Sequence, residues 1–476
     1  MSSKGVRFGT DGWRGVIADE FTFANLERVA HATALTLADE GRGGSVVIGH
    51  DRRFLAASHA DRVADILASH DFRVLRVTDA APTPAISGLV VDHRARAGIV
   101  LTASHNPPQF GGYKIKSASG GSAPAALTAA IEARMEDAVP LSGRSGEAPP
   151  TRDWQRIDFR PGYLARLATR IDLARLRDSP PLTIVVDSMH GCGDDLIAQA
   201  LEPTPHRVIT LRRGRDVLFG GAGPEPLPSR LKDLQRTVLE EKASLGLATD
   251  GDADRLAAVD DTGRFLTALQ ITPLLAEYLI DQRGEHGTIA KTFANTILLD
   301  RIAAHWRLPF QVHPIGFKHL VPLMTRGELL IGGEESGGIG VSGYLPERDG
   351  ILVGLLLVEM CAARGRSLAA LLRGLWDQYG EFHYRRVDLP VSAGKGRQVA
   401  EALAANPPRA VAGIRLSRVE DLDGVKLHLG PAGWVMVRPS GTEPVLRIYC
   451  EARTVKEVDT IIDETVRLTR TGGSSG

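Results

Sequence analysis

Four short stretches of this chain carry residues whose types and spacing can do chemistry. In the first, Thr102-Ala-Ser-His-Asn-Pro-Pro108, an apolar run from Ile99 to Leu101 reads as a buried strand that stops abruptly. Pro107 pushes Asn106 towards extended backbone, and the two prolines fix their own φ angles. The result is a stiff loop presenting one small hydroxyl, Ser104, beside His105. Open α/β sheets place their chemistry at the C-terminal ends of strands, where this hydroxyl would lie. Gly111-Gly112 then turns the chain, and Tyr113-Lys114-Ile115-Lys116 alternates like a second strand carrying lysines. The second stretch, Asp250-Gly-Asp-Ala-Asp-Arg255, sets carboxylates at i, i+2 and i+4. Like charges about 4 Å apart repel by roughly 4 kcal/mol at an effective dielectric of about 20. Either a cation sits among Asp250, Asp252 and Asp254 or they splay into water, and hard oxygen ligands suit Mg²⁺. In the third, Gly332-Gly-Glu-Glu-Ser-Gly-Gly338, Glu334 and Ser336 suit adjacent sugar hydroxyls, among glycines that let a ligand approach the backbone. The fourth is Arg438-Pro-Ser-Gly-Thr-Glu-Pro444. There an Arg fork, two hydroxyls (Ser440, Thr442) and the backbone N–H groups near Gly441 would make an anion nest, a plain hairpin turn being the competing reading.

Each stretch has rivals. An EF-hand needs Gly at its sixth position and Glu at its twelfth, where this chain has Arg255 and Asp261. An Asp-x-Asp phosphatase nucleophile is the better rival, because that motif also follows a strand. The GxGxxG match at Gly338, Gly340 and Gly343 runs into Tyr344-Leu345-Pro346 rather than a helix, which removes a dinucleotide site. Ser104 lacks the Gly-x-Ser-x-Gly frame of a serine hydrolase, and its sequence neighbour His105 is poorly placed as its base. There is no Walker A sequence.

The elements that must hold these loops follow a rhythm. Asn25–Glu40 reads as a helix with Leu26, Val29, Ala30, Ala34 and Leu37 on one face, and a Ser58-capped helix lies between strands at 45–49 and 72–77. Strands at 182–187, 206–211 and 245–249 form a second block, and strands at 288–292, 310–313 and 329–331 a third. Three such blocks predict doubly wound α/β layers and an internal repeat. From about residue 381 hairpins take over, predicting a smaller α+β domain. The expected domains are 1–150, 151–261, 262–380 and 381–470, with a Gly/Ala/Pro-rich linker near 140–150.

The 476 residues contain 57 Lys+Arg and 57 Asp+Glu, a balance that argues against nucleic-acid or anionic-membrane partners. Three scattered cysteines indicate neither a disulfide framework nor a zinc site. The apolar run Ile351–Cys361 is broken by Glu359 and about half the length of a membrane span, so it reads as a buried core helix. With no signal-like N-terminal segment, a cytoplasmic location is expected.

Taken together, and in this order, the four loops resemble those of the α-D-phosphohexomutase superfamily, the phosphoglucomutase/phosphomannomutase enzymes. The resemblance runs from Phe8-Gly-Thr-Asp-Gly-Trp-Arg14 to the Arg438 segment. It implies three α/β domains and a small mobile α+β domain around a central cleft. It also implies a phosphorylated Ser104 at rest, with Mg²⁺ bound by Asp250, Asp252, Asp254 and a phosphoserine oxygen. Two phosphoryl transfers through a glucose 1,6-bisphosphate intermediate, which turns end for end, would be assisted by Arg14, His105 and Arg255. Lys114 is the implied general acid/base, and an amine in that role needs a lowered pKa, which a neighbouring cation could supply. Glu334, Ser336 and Lys318 would hold the sugar. Arg438, Ser440, Gly441 and Thr442, with Arg447, would grip the remote phosphate.

Within the sugar loop, Glu334-Glu335-Ser336 resembles the glucose-handling members, whereas phosphomannomutase/phosphoglucomutases tend to Glu-Met-Ser and phosphoglucosamine mutases to Glu-Gln-Ser. Gly337-Gly338 departs from the Gly-His of the latter two groups. The expected activity is therefore a phosphoglucomutase, with mannose or glucosamine phosphate as the alternative. A Mg²⁺-dependent phosphatase and a sugar-phosphate-binding pseudoenzyme are more distant rivals. The expected partner is a hexose phosphate, and the chain a monomer or homodimer.

Overall fold

The computed structural model describes residues 6–9, 11–39, 41, 43–135, 154–392, 394–440 and 444–471. The expected linker near 140–150 and the loop residues Gly441 and Thr442 lie outside the described residues. The chain divides into two compact units, Met1–Ile271 with Gly316–Ala369, and Thr272–Ile315 with Ala370–Gly476.

The first sheet of the first unit runs, edge to edge, Trp13–Val16, Phe110–Ser117, Ala97–Leu101, Ser45–His50, Arg73–Val77, Gln155–Ile157. From Ala97–Leu101 onward the neighbours are parallel, whereas Phe110–Ser117 is antiparallel to the strand before it. Every residue of Ala97–Leu101 is buried, which is why the strand reads as a continuous apolar run rather than an alternating one. The Phe23–Ala38 helix starts where the Thr22 hydroxyl accepts the Asn25 N–H at 3.2 Å. Ser58 caps nothing. The helix already begins at Ala56 after a left-handed Leu55 (φ 60°), because two alanines extend it a turn earlier than the cap signal suggested.

The second sheet repeats the order: Phe265–Leu266, Leu256–Asp260, Leu245–Thr249, Thr183–Asp187, Arg207–Leu211. Leu245–Thr249 is again parallel to the strand inside it and antiparallel to the strand that follows it in sequence. Leu329–Gly333 and Ile339–Val341 form the same kind of antiparallel pair. The sheets are thus mixed, each with a hairpin beside the parallel strands of the doubly wound layer. The three chemistry-bearing loops, at Ser104, Asp250 and Glu334, all follow the strand that opens this hairpin.

The Gly350–Arg364 helix is buried around most of its circumference, as the apolar run implied. Asp349 caps it by accepting the Ile351 and Leu352 N–H groups, and Gly365, at φ 57°, ends it. Its one internal charge, Glu359, accepts the Asp172 N–H at 2.7 Å. No helix among the described residues is long and apolar enough to cross a membrane.

In the second unit, Thr288–Thr292 pairs parallel with Phe310–His313. The C-terminal sheet is antiparallel throughout, in the order His383–Pro390, Val445–Ala452, Gly433–Pro439, Val425–His428, Arg418–Glu420. Val435, Val437, Ile448 and Cys450 pack with Ile461 of the Val455–Thr471 helix and Leu403 of the Lys395–Ala405 helix. This is the smaller α+β element the hairpin pattern called for.

Candidate active site

Ser104 sits in the left-handed region (φ 51°), which an L residue enters only when its surroundings hold it there. The holding residue is Arg53. Its guanidinium donates to the carbonyls of Ser104 (2.6 Å), Asn106 (2.6 Å), Pro107 (2.7 Å) and Phe110 (3.2 Å). Arg53 is itself anchored by Asp51 at 3.1 Å, and Asp51 also accepts the Thr102 hydroxyl at 2.6 Å. The Ser104 N–H donates to Thr102 Oγ1. Main chain and side chains therefore fix the serine before any ligand arrives.

The fixed hydroxyl donates to Asp250 Oδ2 at 2.8 Å. Asp250 Oδ1 accepts the Arg255 N–H at 3.1 Å. Asp250, Asp252 and Asp254 are fully buried, and each offers an oxygen within 4.8 Å of the others. Burial first, and then the Asp254 and Asp252 charges, push the Asp250 carboxyl well above the ordinary carboxylate range. Asp252 Oδ1 and Asp254 Oδ1 are buried with no hydrogen-bond partner among the described residues. Three buried carboxylates with two orphaned oxygens fit a small hard cation. Gly251 lets the two loops meet, since a Cβ there would lie 2.6 Å from the Ser104 carbonyl oxygen.

Lys114, on the strand that follows the serine loop, reaches Asp252 (2.8 Å), Asp254 (2.9 Å) and Asp11 (2.9 Å). Burial pulls its pKa down, but the three carboxylates outweigh burial and hold it above the ordinary lysine value. That is the opposite of the lowered pKa expected for a base, because the amine faces three anions and not only a cation. His105 Nδ1 lies 3.4 Å from Ser104 Oγ, and burial, followed by Arg255 and Arg14, holds its pKa well below the usual value. Arg14 donates to Asn106 Oδ1 at 2.7 Å, which ties the first strand to the serine loop.

Two residues central to the site carried no signal in the sequence reading. Arg348 is buried and bridges Asp254 (2.7 Å), Asp11 (2.7 Å) and Glu334 (2.8 Å). It connects the acidic loop to the sugar-type loop. A Cβ on Gly338 would fall 2.3 Å from Arg348 Cδ, so the Gly-Gly that departs from Gly-His makes room for this arginine. Asp11, in Gly9-Thr-Asp-Gly-Trp-Arg14, collects Lys114 and Arg348, and these with Lys116 carry its pKa well below the usual range against the effect of burial. The motif was legible, but the carboxylate's role was not.

Glu334 is buried against Arg348, and Ser336 is half-buried beside it in sequence. Lys318 stands half-buried on the single turn Phe317–His319, with no hydrogen-bond or ion-pair partner among the described residues. In the second unit, Arg438 pairs with Asp423 at 2.8 Å, Arg447 lies 3.5 Å from Asp388, and the Ser440 N–H donates to the Val445 carbonyl. Arg438 and Arg447 occupy facing positions on adjacent strands.

Comparison with known proteins puts this arrangement in context. Sequence profiles for phosphoglucomutase/phosphomannomutase α/β/α domains I, II and III match residues 5–140, 161–263 and 269–379, and that for the C-terminal domain matches 389–468. The chain belongs to the phosphoglucomutase/phosphomannomutase family. A phosphoglucosamine mutase from Frankia alni is 31% identical, over 94% of both chains. A phosphoglucomutase/phosphomannomutase from Thermococcus kodakarensis is 29% identical over 98% of both. A solved structure from Thermus thermophilus, provisionally named a phosphomannomutase, is 36% identical with a TM-score of 0.87, covering 98% of this chain and all of that one. Such relatives make the chain a phosphohexomutase-superfamily enzyme. Their names do not favour glucose over mannose or glucosamine.

Proposed function

We propose that this enzyme interconverts glucose 1-phosphate and glucose 6-phosphate through a phosphorylated Ser104 and a bound glucose 1,6-bisphosphate. The observation that carries the reading is the Ser104 hydroxyl, locked by Arg53 and donating at 2.8 Å to the first carboxylate of a buried acidic triad. In the forward step the Ser104 Oγ–P bond breaks and a bond forms between phosphorus and the free sugar hydroxyl, whose proton passes by way of Lys114 to the departing Ser104 oxygen. After the intermediate turns, the other sugar O–P bond breaks, Ser104 Oγ bonds that phosphorus, and the serine proton returns by the same route to the sugar oxygen. Asp250, Asp252, Asp254 and Ser104 would hold Mg²⁺, which when bound supplies charge neutralisation to the transferring group.

The chain's own groups do the rest. Arg255 and Arg14, both close to His105, would with it supply donors to the transferring group, and His105 Nδ1 lies 3.4 Å from Ser104 Oγ. Lys114 is the proton carrier, and the carboxylates around it keep it charged until a base-strength acceptor appears, such as the departing serine oxygen. Glu334 and Ser336, with Lys318, take the sugar hydroxyls whose surroundings change least on turning. Arg438, Ser440, Gly441, Thr442 and Arg447 take the phosphate that is not reacting.

Glu335 supports glucose. A second reading, phosphomannomutase or phosphoglucosamine mutase, rests on the relatives' names and has at least equal support. An Asp-x-Asp phosphatase is disfavoured because both Asp250 oxygens already accept hydrogen bonds from the protein. The test is a coupled assay with glucose, mannose and glucosamine 1-phosphates, each with trace bisphosphate, run on the wild type and Ser104→Ala. The variant should lose several orders of magnitude of mutase turnover while still binding sugar phosphate. Near-normal turnover of Ser104→Ala would sink the phosphoserine reading, and the order of the three substrates decides between the first reading and the second.

A further inference from the structure

Outside the site above, one cavity of the second unit holds more positive charge than its surroundings neutralise. It has a volume of about 270 Å³ and is lined by Lys291, Asp300, Arg301, Arg418, Lys426, His428 and the apolar Ile297, Ala304 and Trp434. Buried lysines are normally paired with an anion. Lys426 is 3% exposed, yet no carboxylate among the described residues lies within ion-pair distance of it. Its ammonium donates to the Phe293 carbonyl at 2.7 Å and lies 3.8 Å from the centre of the Trp434 ring, which leaves donor capacity unused.

The nearby acids are committed elsewhere. Asp300 pairs with Lys291, and Glu420 with Arg418 and His428. Glu451 accepts the Ile297 N–H and the Trp434 indole N–H, both at 2.8 Å. Arg301 donates to the Tyr379 carbonyl and lies over Phe382, with no carboxylate partner among the described residues. Burial, and then the Lys291 charge, bring the Lys426 pKa down to about 7 against the opposing pull of Asp300, Glu451 and Glu420.

We infer that this cavity is a binding site for a small multivalent oxyanion, held by Lys426 with Lys291, Arg301 and Arg418. Its volume falls just below the usual range for small-ligand pockets, which suits a compact phosphate or polycarboxylate. An anion there would brace the Leu298–Trp306 helix against the Val425–His428 and Gly433–Pro439 strands, since residues of all three line the cavity.

The indole N–H of Trp434 is a local reporter, because the ring forms one wall. Its NMR resonance, assigned by its loss in Trp434→Phe, is followed in the full chain during titration with inorganic phosphate and, separately, citrate. Chloride at matched ionic strength is the control. A saturable shift at millimolar anion is expected with at least one of the two, and which one responds identifies the ligand chemistry. Loss of a charged donor should weaken the midpoint by roughly tenfold or more in Lys426→Met and in the exposed-rim variant Arg418→Gln. A shift that only follows chloride, or that both variants retain unchanged, overturns the site. If Lys426→Met does not fold, the wild type and Arg418→Gln still decide.

Discussion

Replacing Arg53 with methionine isolates the clamp on the serine loop, because it keeps the unbranched stem and removes every donor. The guanidinium is 2% exposed and serves four main-chain carbonyls besides Asp51. Breaking a buried ion pair from one side costs about 3–5 kcal/mol, because the partner charge is left uncompensated. Asp51 supplies that penalty, and the orphaned carbonyls add to it unless water reaches them. Arg53→Met should therefore unfold about 3–5 kcal/mol more easily in urea at pH 7. Its Ser104 should also relax out of the left-handed region, removing most mutase turnover even where the protein is fully folded.

The double variant Asp51→Asn/Arg53→Met should recover part of the stability, since a neutral amide leaves no buried charge, but not the turnover. The pH dependence has a definite sign. Burial already raises the Asp51 pKa, and loss of Arg53, its chief opposing influence, raises it further. The folded variant then binds more protons than the unfolded chain between the unfolded and the raised folded pKa, so its stability falls as pH rises through that window. Its deficit against the wild type should shrink in acid. A loss below about 1 kcal/mol, the level of an ordinary surface change, would refute the clamp argument, as would wild-type turnover in the folded variant.

Chelation with EDTA should abolish turnover, and Mg²⁺ should restore it. The check is the coupled assay before and after re-addition, and metal-independent turnover would remove the cation from the triad. Gly251→Ala puts a methyl 2.6 Å from the Ser104 carbonyl oxygen and 2.8 Å from Pro224 Cγ. It should lower kcat by at least about tenfold, as misplacing reacting groups does, with stability much less affected. Arg348→Met leaves Glu334 without its partner and Asp254 with one cation fewer. It should raise KM for the hexose phosphate and lower Tm, whereas Arg348→Lys, which can keep one of the contacts, should lie between.

The sequence made the loops legible for a physical reason. Abrupt strand ends, paired prolines and carboxylates crowded at i, i+2 and i+4 are local patterns, and local patterns survive without a fold. What holds the loops was not legible. Arg348 lies 337 residues from Asp11 and 94 from Asp254, and nothing in Pro346-Glu-Arg348 predicts either meeting. Arg53 looks like any surface arginine in Asp51-Arg-Arg-Phe54 until the Ser104 loop closes over it. Lys114 was found, but the sign of its pKa shift was not, since that depends on Asp11 and on which way Asp252 and Asp254 point. The Ser58 cap failed by three residues, where good helix formers override a cap signal.

The repeat explains why chemistry gathers where it does. In the first two sheets a parallel strand is followed at once by an antiparallel neighbour, so the turn between them is not committed to a crossover helix. Such a turn can vary without unseating the layer. In the first copy it carries a hydroxyl, in the second three carboxylates, and in the Leu329–Val341 hairpin a carboxylate and a hydroxyl. Differentiation of one topological position, rather than assembly of unrelated loops, puts Ser104 Oγ on Asp250 and Arg348 on both Asp254 and Glu334. The cross-links that join the three loops are polar and buried, whereas the layers beneath them are apolar. Substitutions at the cross-links should therefore separate from substitutions in the layers: the former act on turnover out of proportion to stability, the latter on stability first.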